Sequence, residues 1–151
     1  MKVAAWLAAA AAMGAMGAHA YCVQNELRDR PIVVEQEPHP DKLRGERIFR
    51  HTIPPGGKQC CKFHDLDCNP GGRQNSVVNL SIRIPGEPPY ACGFPEGAEP
   101  NVKVTGGGTL RVLPNSRKKS AYPFVVRVRT HDRKDLTGPR GLVCPPAPKG
   151  N

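Results

Sequence analysis

Aromatic residues make up only 5% of this 151-residue chain, and no window of helix length after residue 20 repeats apolar residues every 3.6 positions. An amphipathic helix needs that repeat to bury one face, so its absence predicts a chain without such helices. Surfaces that bind single-stranded nucleic acid usually stack bases on aromatic rings. The scarcity of aromatics therefore makes nucleic acid the least favoured of the anionic partners considered below.

Recognisable catalytic motifs are also missing. No serine sits in a G-x-S-x-G elbow, and Gly106–Gly108 lacks the Gly-Lys-Ser/Thr ending of a phosphate-binding loop. The chain also has no C-x-x-C pair, which is the cysteine spacing typical of zinc sites. The segment His64–Asp67 carries imidazole and carboxylates, but in an extended loop His64 points away from Asp65 and Asp67. We therefore assign no catalytic residue, metal ligand or cofactor, and a small hydrolase using this segment is the least favoured alternative.

The one long apolar run lies at the start of the chain. Lys2 precedes it, and Ala18-His19-Ala20 ends it. A basic start, an apolar centre and an A-x-A site are typical of a secretory signal peptide, whereas a membrane anchor needs about 20 apolar residues. We predict a signal peptide over residues 1–20, cleavage between Ala20 and Tyr21, and export to the periplasm, the cell surface or the medium.

All six cysteines follow this predicted cleavage point, and in an exported protein an even number indicates disulfides. The neighbours Cys60 and Cys61 are not expected to bond each other, because the resulting ring would be strained. The sequence does not choose among the other pairings. Our working scheme has Cys22 and Cys144 tie the chain ends into the body, while the doublet anchors the loops of Cys68 and Cys92.

Short runs of alternating or β-branched residues separated by Gly and Pro predict strands. A hairpin with a glycine turn is expected over residues 102–113, and the clearest strand has Val78, Leu80, Ile82 and Ile84 on its apolar face. We predict one all-β domain over residues 21–144, a small antiparallel β-sandwich or barrel of about six to eight short strands stapled by disulfides. Residues 145–151 are expected to form a flexible tail.

Acidic residues are rare in the last third of the chain. Residues 101–151 contain 11 Lys and Arg but only 2 Asp and Glu, whereas residues 21–100 contain 10 and 11. Most of the basic residues fall on outward positions of the predicted hairpin and last strand or in the loop between them. If those strands are neighbours, they form one basic surface, comprising Lys103, Arg111, Arg117, Lys118, Lys119, Arg127 and Arg129.

Such a surface attracts anionic polymers, anionic envelope components such as lipopolysaccharide or phospholipid head groups, and acidic proteins. The simpler interpretation is a solvated face that keeps the protein in solution. The leading hypothesis is therefore an exported, non-enzymatic binding protein. The alternative is a secreted inhibitor or effector that binds a protein target through the Cys60–Gly72 loop, with Lys62, Phe63 and His64 in contact, because a disulfide-fixed loop loses little entropy on binding.

Overall fold

The computed structural model describes residues 19–37, 48–62, 64–88, 90–92, 101–117 and 122–146, with only the backbone described at residues 19 and 20. These ranges contain nine strands and no helix, and hence no helix long and apolar enough to cross a membrane. The strands are β1 (His19–Asn25), β2 (Ile32–Gln36), β3 (Arg50–Ile53), β4 (Lys58–Lys62), β5 (Val77–Arg83), β6 (Val102–Thr105), β7 (Thr109–Pro114), β8 (Phe124–Arg129) and β9 (Leu142–Val143). The predicted all-β class is confirmed.

Two sheets pack against each other as a sandwich that does not close into a barrel. The five-stranded sheet has the order β4-β1-β7-β8-β9, and the four-stranded sheet has the order β3-β2-β5-β6. Neighbouring strands are antiparallel except for β1 and β7, which run parallel. Apolar residues of both sheets form one buried cluster between them.

The two strands with the cleanest apolar alternation fold as predicted. In β5, Val78, Leu80 and Ile82 are buried between partly exposed neighbours, and Ile84 is buried just after the strand. In β8, the inner face is buried while Arg127 and Arg129 point outward. Each buried Val, Leu or Ile contributes about 1.5 to 3 kcal/mol, so this alternation fixes which face of each strand meets the core.

The sequence pattern does not indicate β1, because it places a polar residue at an inward position. Asn25 is fully buried, yet its side-chain amide donates to the backbone oxygens of Arg30 and Ile53, both at 3.0 Å. Its Oδ1 accepts the backbone N–H of Leu27 at 3.0 Å. These bonds offset the cost of burying the amide, so β1 can lie between β4 and β7 despite its polar appearance.

The hairpin expected over residues 102–113 is wrong. β6 pairs with β5 in one sheet, whereas β7 pairs with β1 and β8 in the other, so Gly106–Gly108 carries the chain between sheets. A Cβ at Gly106 would lie 2.2 Å from the Arg73 carbonyl oxygen, and one at Gly108 would lie 2.5 Å from the Arg129 carbonyl oxygen. The glycines are therefore needed for close backbone approach at a crossover between sheets.

All six cysteines form disulfides, as predicted, but only the link between the doublet and Cys68 agrees with the working scheme. The bridges are Cys22–Cys60, Cys61–Cys68 and Cys92–Cys144. Successive side chains of a strand point to opposite faces, which separates the doublet: Cys60 meets Cys22 directly across β1 and β4, while Cys61 is buried. Three disulfides indicate an oxidising, extracellular type of environment.

Cys92 does not bond the doublet, because its segment lies beside the end of the chain. The Ala91 N–H donates to the Pro145 carbonyl at 2.8 Å, and Tyr90 forms a bridge with Pro146. This pairing brings Cys92 next to Cys144. Residues 145 and 146 therefore dock on the body, while the rest of the expected tail lies outside the described residues.

Candidate functional site

The described members of the predicted basic surface do not all lie on one sheet. Lys103 lies on β6 of the four-stranded sheet, whereas the arginines of β7 and β8 lie on the five-stranded sheet. Lys118 and Lys119 lie outside the described residues. The premise that β6 and β7 are neighbours in one sheet is wrong, so Lys103 is separated from those arginines. Arg111, Arg127 and Arg129 share the outer face of the five-stranded sheet, and Arg117 lies in the loop after β7.

On that outer face, β7 and β8 place their residues in direct cross-strand pairs: Thr109 opposite Arg129, Arg111 opposite Arg127, and Leu113 opposite Val125. Two like charges directly opposite each other destabilise a sheet. The Arg111–Arg127 pair therefore needs acidic partners.

Each arginine of this pair has one acidic partner. Glu26, which follows β1, accepts hydrogen bonds from Arg111 Nε and Nη2, the latter at 2.7 Å. This hydrogen bond raises the pKa of Arg111. Arg127 Nη2 donates to Asp135 Oδ2 at 2.8 Å. Both ion pairs are half-buried, so they compensate the crowding of positive charge at the centre of the face.

Asp135 also organises the turn that follows β8. Its Oδ1 accepts hydrogen bonds from Thr137 N at 2.9 Å, Thr137 Oγ1 at 3.1 Å and Gly138 N at 3.0 Å. Arg127 is the main cause that lowers the pKa of Asp135 to about 2, and the Thr137 hydrogen bonds act in the same direction. Asp135 is thus a fixed anion that orients Arg127 and holds the following turn against β8.

An open cleft of about 400 Å³ lies between β7, β8 and two flanking loops. We call it the arginine cleft. The Leu113–Val125 pair forms an apolar floor, and three arginines line the cleft. The described residues that line it are Leu113, Pro114, Asn115, Ser116, Arg117, Val125, Arg127, Pro139 and Arg140.

A tight glycine turn brings Arg140 to the cleft. Gly141 has a φ of +70°, and a Cβ there would lie 2.9 Å from the Val126 carbonyl oxygen, so only glycine fits without strain. The Gly141 N–H donates to the Gly138 carbonyl at 3.2 Å and closes the turn. The turn therefore packs directly on β8 and presents Arg140 at the cleft.

A second polar residue, Asn115, orders the loop that carries Arg117. Its Oδ1 accepts the Arg117 backbone N–H at 3.1 Å, and its Nδ2 donates to the Tyr122 carbonyl at 3.1 Å. Such side-chain to backbone bonds are typical of Asx turns. Asn115 therefore connects both ends of the loop and orders the backbone at Arg117, which lines the cleft.

The three arginines of the cleft differ in their partners. Arg127 is paired with Asp135, whereas Arg117 and Arg140 are exposed and have no carboxylate within 4.0 Å among the described residues. The described lining residues together with Asp135 therefore carry a formal charge of about +2, a count that takes arginine and aspartate as ionised. Arg129 lies one row away on β8, exposed and opposite Thr109.

The predicted Cys60–Gly72 loop borders a different cleft, of about 310 Å³, which we call the cysteine cleft. Lys62 and His64 are exposed, and Phe63 lies outside the described residues. His51 lines this cleft, whereas His64 is not among its described lining residues. These residues are Ile48, Phe49, His51, Cys60, Cys61, Lys62, Asp65, Asp67 and Cys68. Within the described ranges, no group of three or more His, Cys, Asp or Glu could hold a metal ion.

Behind the cysteine cleft, Tyr21 packs edge to face on Phe49, with ring centroids 5.2 Å apart. Burial, and then the nearby Asp65 carboxylate, raise the pKa of the Tyr21 hydroxyl above its ordinary value. That hydroxyl is buried and has no hydrogen-bond partner in the described structure. The cysteine side thus keeps one polar group unsatisfied, unlike the hydrogen-bonded turns of the arginine cleft.

The sequence pattern indicates Arg117 and Arg127 but not Arg140 or Asp135, which lie neither on a predicted strand nor in the basic run that begins at Arg117. The signal that could have found Arg140 is Gly138-Pro139-Arg140-Gly141, in which a cation lies between turn residues. Comparisons with known proteins add no further candidate, since the chain matches no protein-family model, no curated protein and no solved structure.

Proposed function

We propose that this protein is an exported, non-enzymatic binding module whose arginine cleft engages an anionic group of an envelope component, another polymer or an acidic partner. The observation that carries the proposal is the pair Arg117 and Arg140, two exposed guanidinium groups beside an apolar floor and without acidic partners in the described structure. Guanidinium groups match carboxylate and phosphate geometry through paired N–H donors, which favours them for anion recognition.

The proposed site is smaller than the surface expected from the sequence. Arg111 is occupied by Glu26, and Lys103 lies on the other sheet. Arg127 contributes, but its reversal to Glu would bring a second acid against Asp135 and destabilise the turn. Arg117 and Arg140 are therefore the residues whose substitution separates binding from folding.

The first experiment measures retention of the oxidised protein on lipopolysaccharide, anionic vesicles, DNA and acidic polysaccharide at low and near-physiological salt. The double variant Arg117→Glu/Arg140→Glu is compared with Arg73→Glu/Lys103→Glu, which changes the net charge equally but lies away from the cleft. We expect the binding of one ligand to persist at near-physiological salt. This ligand should bind the cleft variant at least 10-fold more weakly than the control variant. Equal losses in both variants would mean unspecific attraction, which salt screens, and would refute the site.

A second candidate function is recognition of a protein target through the cysteine cleft and its loop. It is favoured by the Cys61–Cys68 bridge, which closes a short loop beside this cleft. Substitution of Lys62 and His64 by Ala tests it. Loss of target inhibition with intact anion binding would support this function, and unchanged inhibition would exclude the loop.

A further inference from the structure

The charge and the shape of the arginine cleft restrict the anion that it can match, if the proposed function is correct. Among the described residues, three arginines line the cleft, and one acid, Asp135, is bonded to Arg127. The resulting formal charge of about +2 is neutralised by one dianion, whereas a carboxylate or a phosphodiester brings a single negative charge. A phosphate monoester carries about −1.5 to −2 near pH 7 and offers three acceptor oxygens.

The donors are arranged for more than one oxygen. Arg127 uses one Nη2 hydrogen bond on Asp135, which leaves donors at Nε and Nη1 for a ligand. Arg117 and Arg140 come from separate loops, each ordered by its own hydrogen bonds. The Ser116 hydroxyl is a further exposed donor in the lining. A tetrahedral phosphate can accept from several directions, whereas the two oxygens of a carboxylate lie in one plane.

The floor adds a second requirement. Leu113 and Val125 pair across β7 and β8, and Pro114 and Pro139 flank them. An anion that is fully hydrated on every side gains nothing from this floor, whereas a ligand with an apolar body next to its phosphate covers it. The cleft therefore matches a charged terminus joined to an apolar group.

We propose that the arginine cleft recognises a terminal phosphate monoester on a carrier whose adjoining group has an apolar face. Two sources supply this chemistry, a lipid head group ending in a phosphate monoester and a soluble phosphorylated metabolite or sugar. The cleft residues are the same for both, so the source is decided by experiment.

The test measures binding of phenyl phosphate and of its methyl diester to the oxidised protein by calorimetry at pH 7.5 and pH 5. The second pKa of a phosphate monoester is about 6, so only phenyl phosphate changes its charge over this range. On the protein side, the charged groups that line the cleft in the described structure are Arg117, Arg127 and Arg140, and Asp135 is bonded to Arg127. The arginines remain protonated, and the pKa of Asp135 is about 2, so these groups keep their charge.

We expect phenyl phosphate to bind at least 10-fold more tightly than the diester at pH 7.5, with most of this preference lost at pH 5. Arg117→Gln/Arg140→Gln should remove the preference, while Arg73→Gln/Lys103→Gln should keep it. Inorganic phosphate should bind more weakly than phenyl phosphate, because it lacks the apolar body. Equal binding of monoester and diester, or a preference unchanged at pH 5, would overturn the inference.

These outcomes are distinct from failure of the proposed function. If neither phenyl compound binds the native protein better than the Arg117→Gln/Arg140→Gln variant, the cleft is not an anion site. If both bind equally and both need the two arginines, the cleft is an anion site without monoester selectivity. The two proposals therefore fail by different results.

Binding to vesicles and competition by a soluble phosphate monoester distinguish the two sources of the ligand. Retention on phosphatidic acid vesicles, but not on phosphatidylglycerol vesicles of equal anionic fraction, would support a lipid-borne monoester. Competition by glucose 6-phosphate as strong as that by phenyl phosphate would support a soluble one. Equal retention on both vesicle types, insensitive to the Arg117 and Arg140 substitutions, would exclude the lipid-borne source.

Discussion

The two clefts of this protein lie towards opposite edges of the five-stranded sheet, and the residues around them are held in place in different ways. The cysteine cleft lies by the edge strand β4 and includes residues of two disulfides. The arginine cleft lies on β7 and β8, and none of its lining residues is a cysteine. Its loops are ordered by Asn115, Asp135 and Gly141 through hydrogen bonds and close backbone approach. One cleft is thus fixed by covalent bonds and the other by polar contacts.

The clefts also differ in charge. Asp65 and Asp67 outnumber Lys62 in the cysteine cleft, whereas three arginines face a single Asp135 at the other. The difference shows that the basic composition of the last third is not spread evenly over the sandwich. The arginines that lie side by side on neighbouring strands are paired with acids. The arginines carried by loops and turns are exposed.

The largest expected effect is on the free energy of unfolding when a disulfide of the cysteine cleft is removed. Its size should depend on the length of chain that the disulfide closes. Cys22–Cys60 closes 38 residues and Cys61–Cys68 closes 7. In the chain-entropy description, these loops correspond to stabilisation of about 4 and about 2 kcal/mol. We expect Cys22→Ala/Cys60→Ala to lower the free energy of unfolding more than Cys61→Ala/Cys68→Ala, as measured by denaturant titration.

Neither pair of substitutions touches the arginine cleft. The folded fraction of each variant should therefore bind phenyl phosphate with unchanged affinity. Equal destabilisation by both pairs, or lost binding in a folded Cys61→Ala/Cys68→Ala protein, would show that the two clefts are not independent.

An intermediate effect is expected from Asp135 on the polar side. Its pKa is about 2 in the folded protein, against about 3.9 for an unperturbed aspartate. The stability that it adds is therefore fully present above about pH 5 and is lost as the pH falls towards 2. Asp135→Asn should lower the free energy of unfolding by about 1 to 2 kcal/mol at pH 7, since the ion pair is only half-buried.

A pH series of denaturant titrations checks this prediction, because the difference between native and Asp135→Asn proteins should disappear near pH 2. In an Arg127→Gln background the same substitution should cost less, since the partner is already gone. A difference that is constant with pH would mean that the ion pair does not supply the stability.

Local alternation explains why part of the fold could be predicted and part could not. β5 and β8 can be predicted because every second residue is apolar. Burial of that apolar face in the core is sufficient to orient each strand. β1 was missed because the suitability of Asn25 depends on carbonyls at residues 30 and 53. The predicted hairpin failed because its glycines meet residues 73 and 129, distant contacts that a local turn motif does not reveal.

The residues of the candidate site also fall into those that a local sequence pattern predicts and those that depend on tertiary contacts. Arg127 was predicted because strand alternation turns it outward, and Arg117 because it belongs to a run of basic residues. Asp135 and Arg140 gain their roles only when the turn after β8 folds back on that strand. Sequence periodicity indicates which side chains are exposed, but the pairing of charges between separate loops is set by tertiary contacts.

The smallest expected effect concerns Tyr21, on the cysteine side, with Tyr90 as its matched control. Both rings pack edge to face on a phenylalanine, at 5.2 Å for Tyr21 and 4.8 Å for Tyr90, and Phe preserves this packing. The Tyr90 hydroxyl donates to Glu87, so Tyr90→Phe should cost about 1 kcal/mol, as for a typical hydrogen bond.

The Tyr21 hydroxyl is buried without a partner in the described structure. A polar group that is removed from water and makes no hydrogen bond opposes folding, so its deletion should be neutral or stabilising, by up to about 1 kcal/mol. Denaturant titration of the two variants side by side measures the contrast. If Tyr21→Phe were as costly as Tyr90→Phe, the hydroxyl would have to find a partner in solution, such as a water molecule reaching it from the cysteine cleft, and the polar groups of the two clefts would then be equally well satisfied.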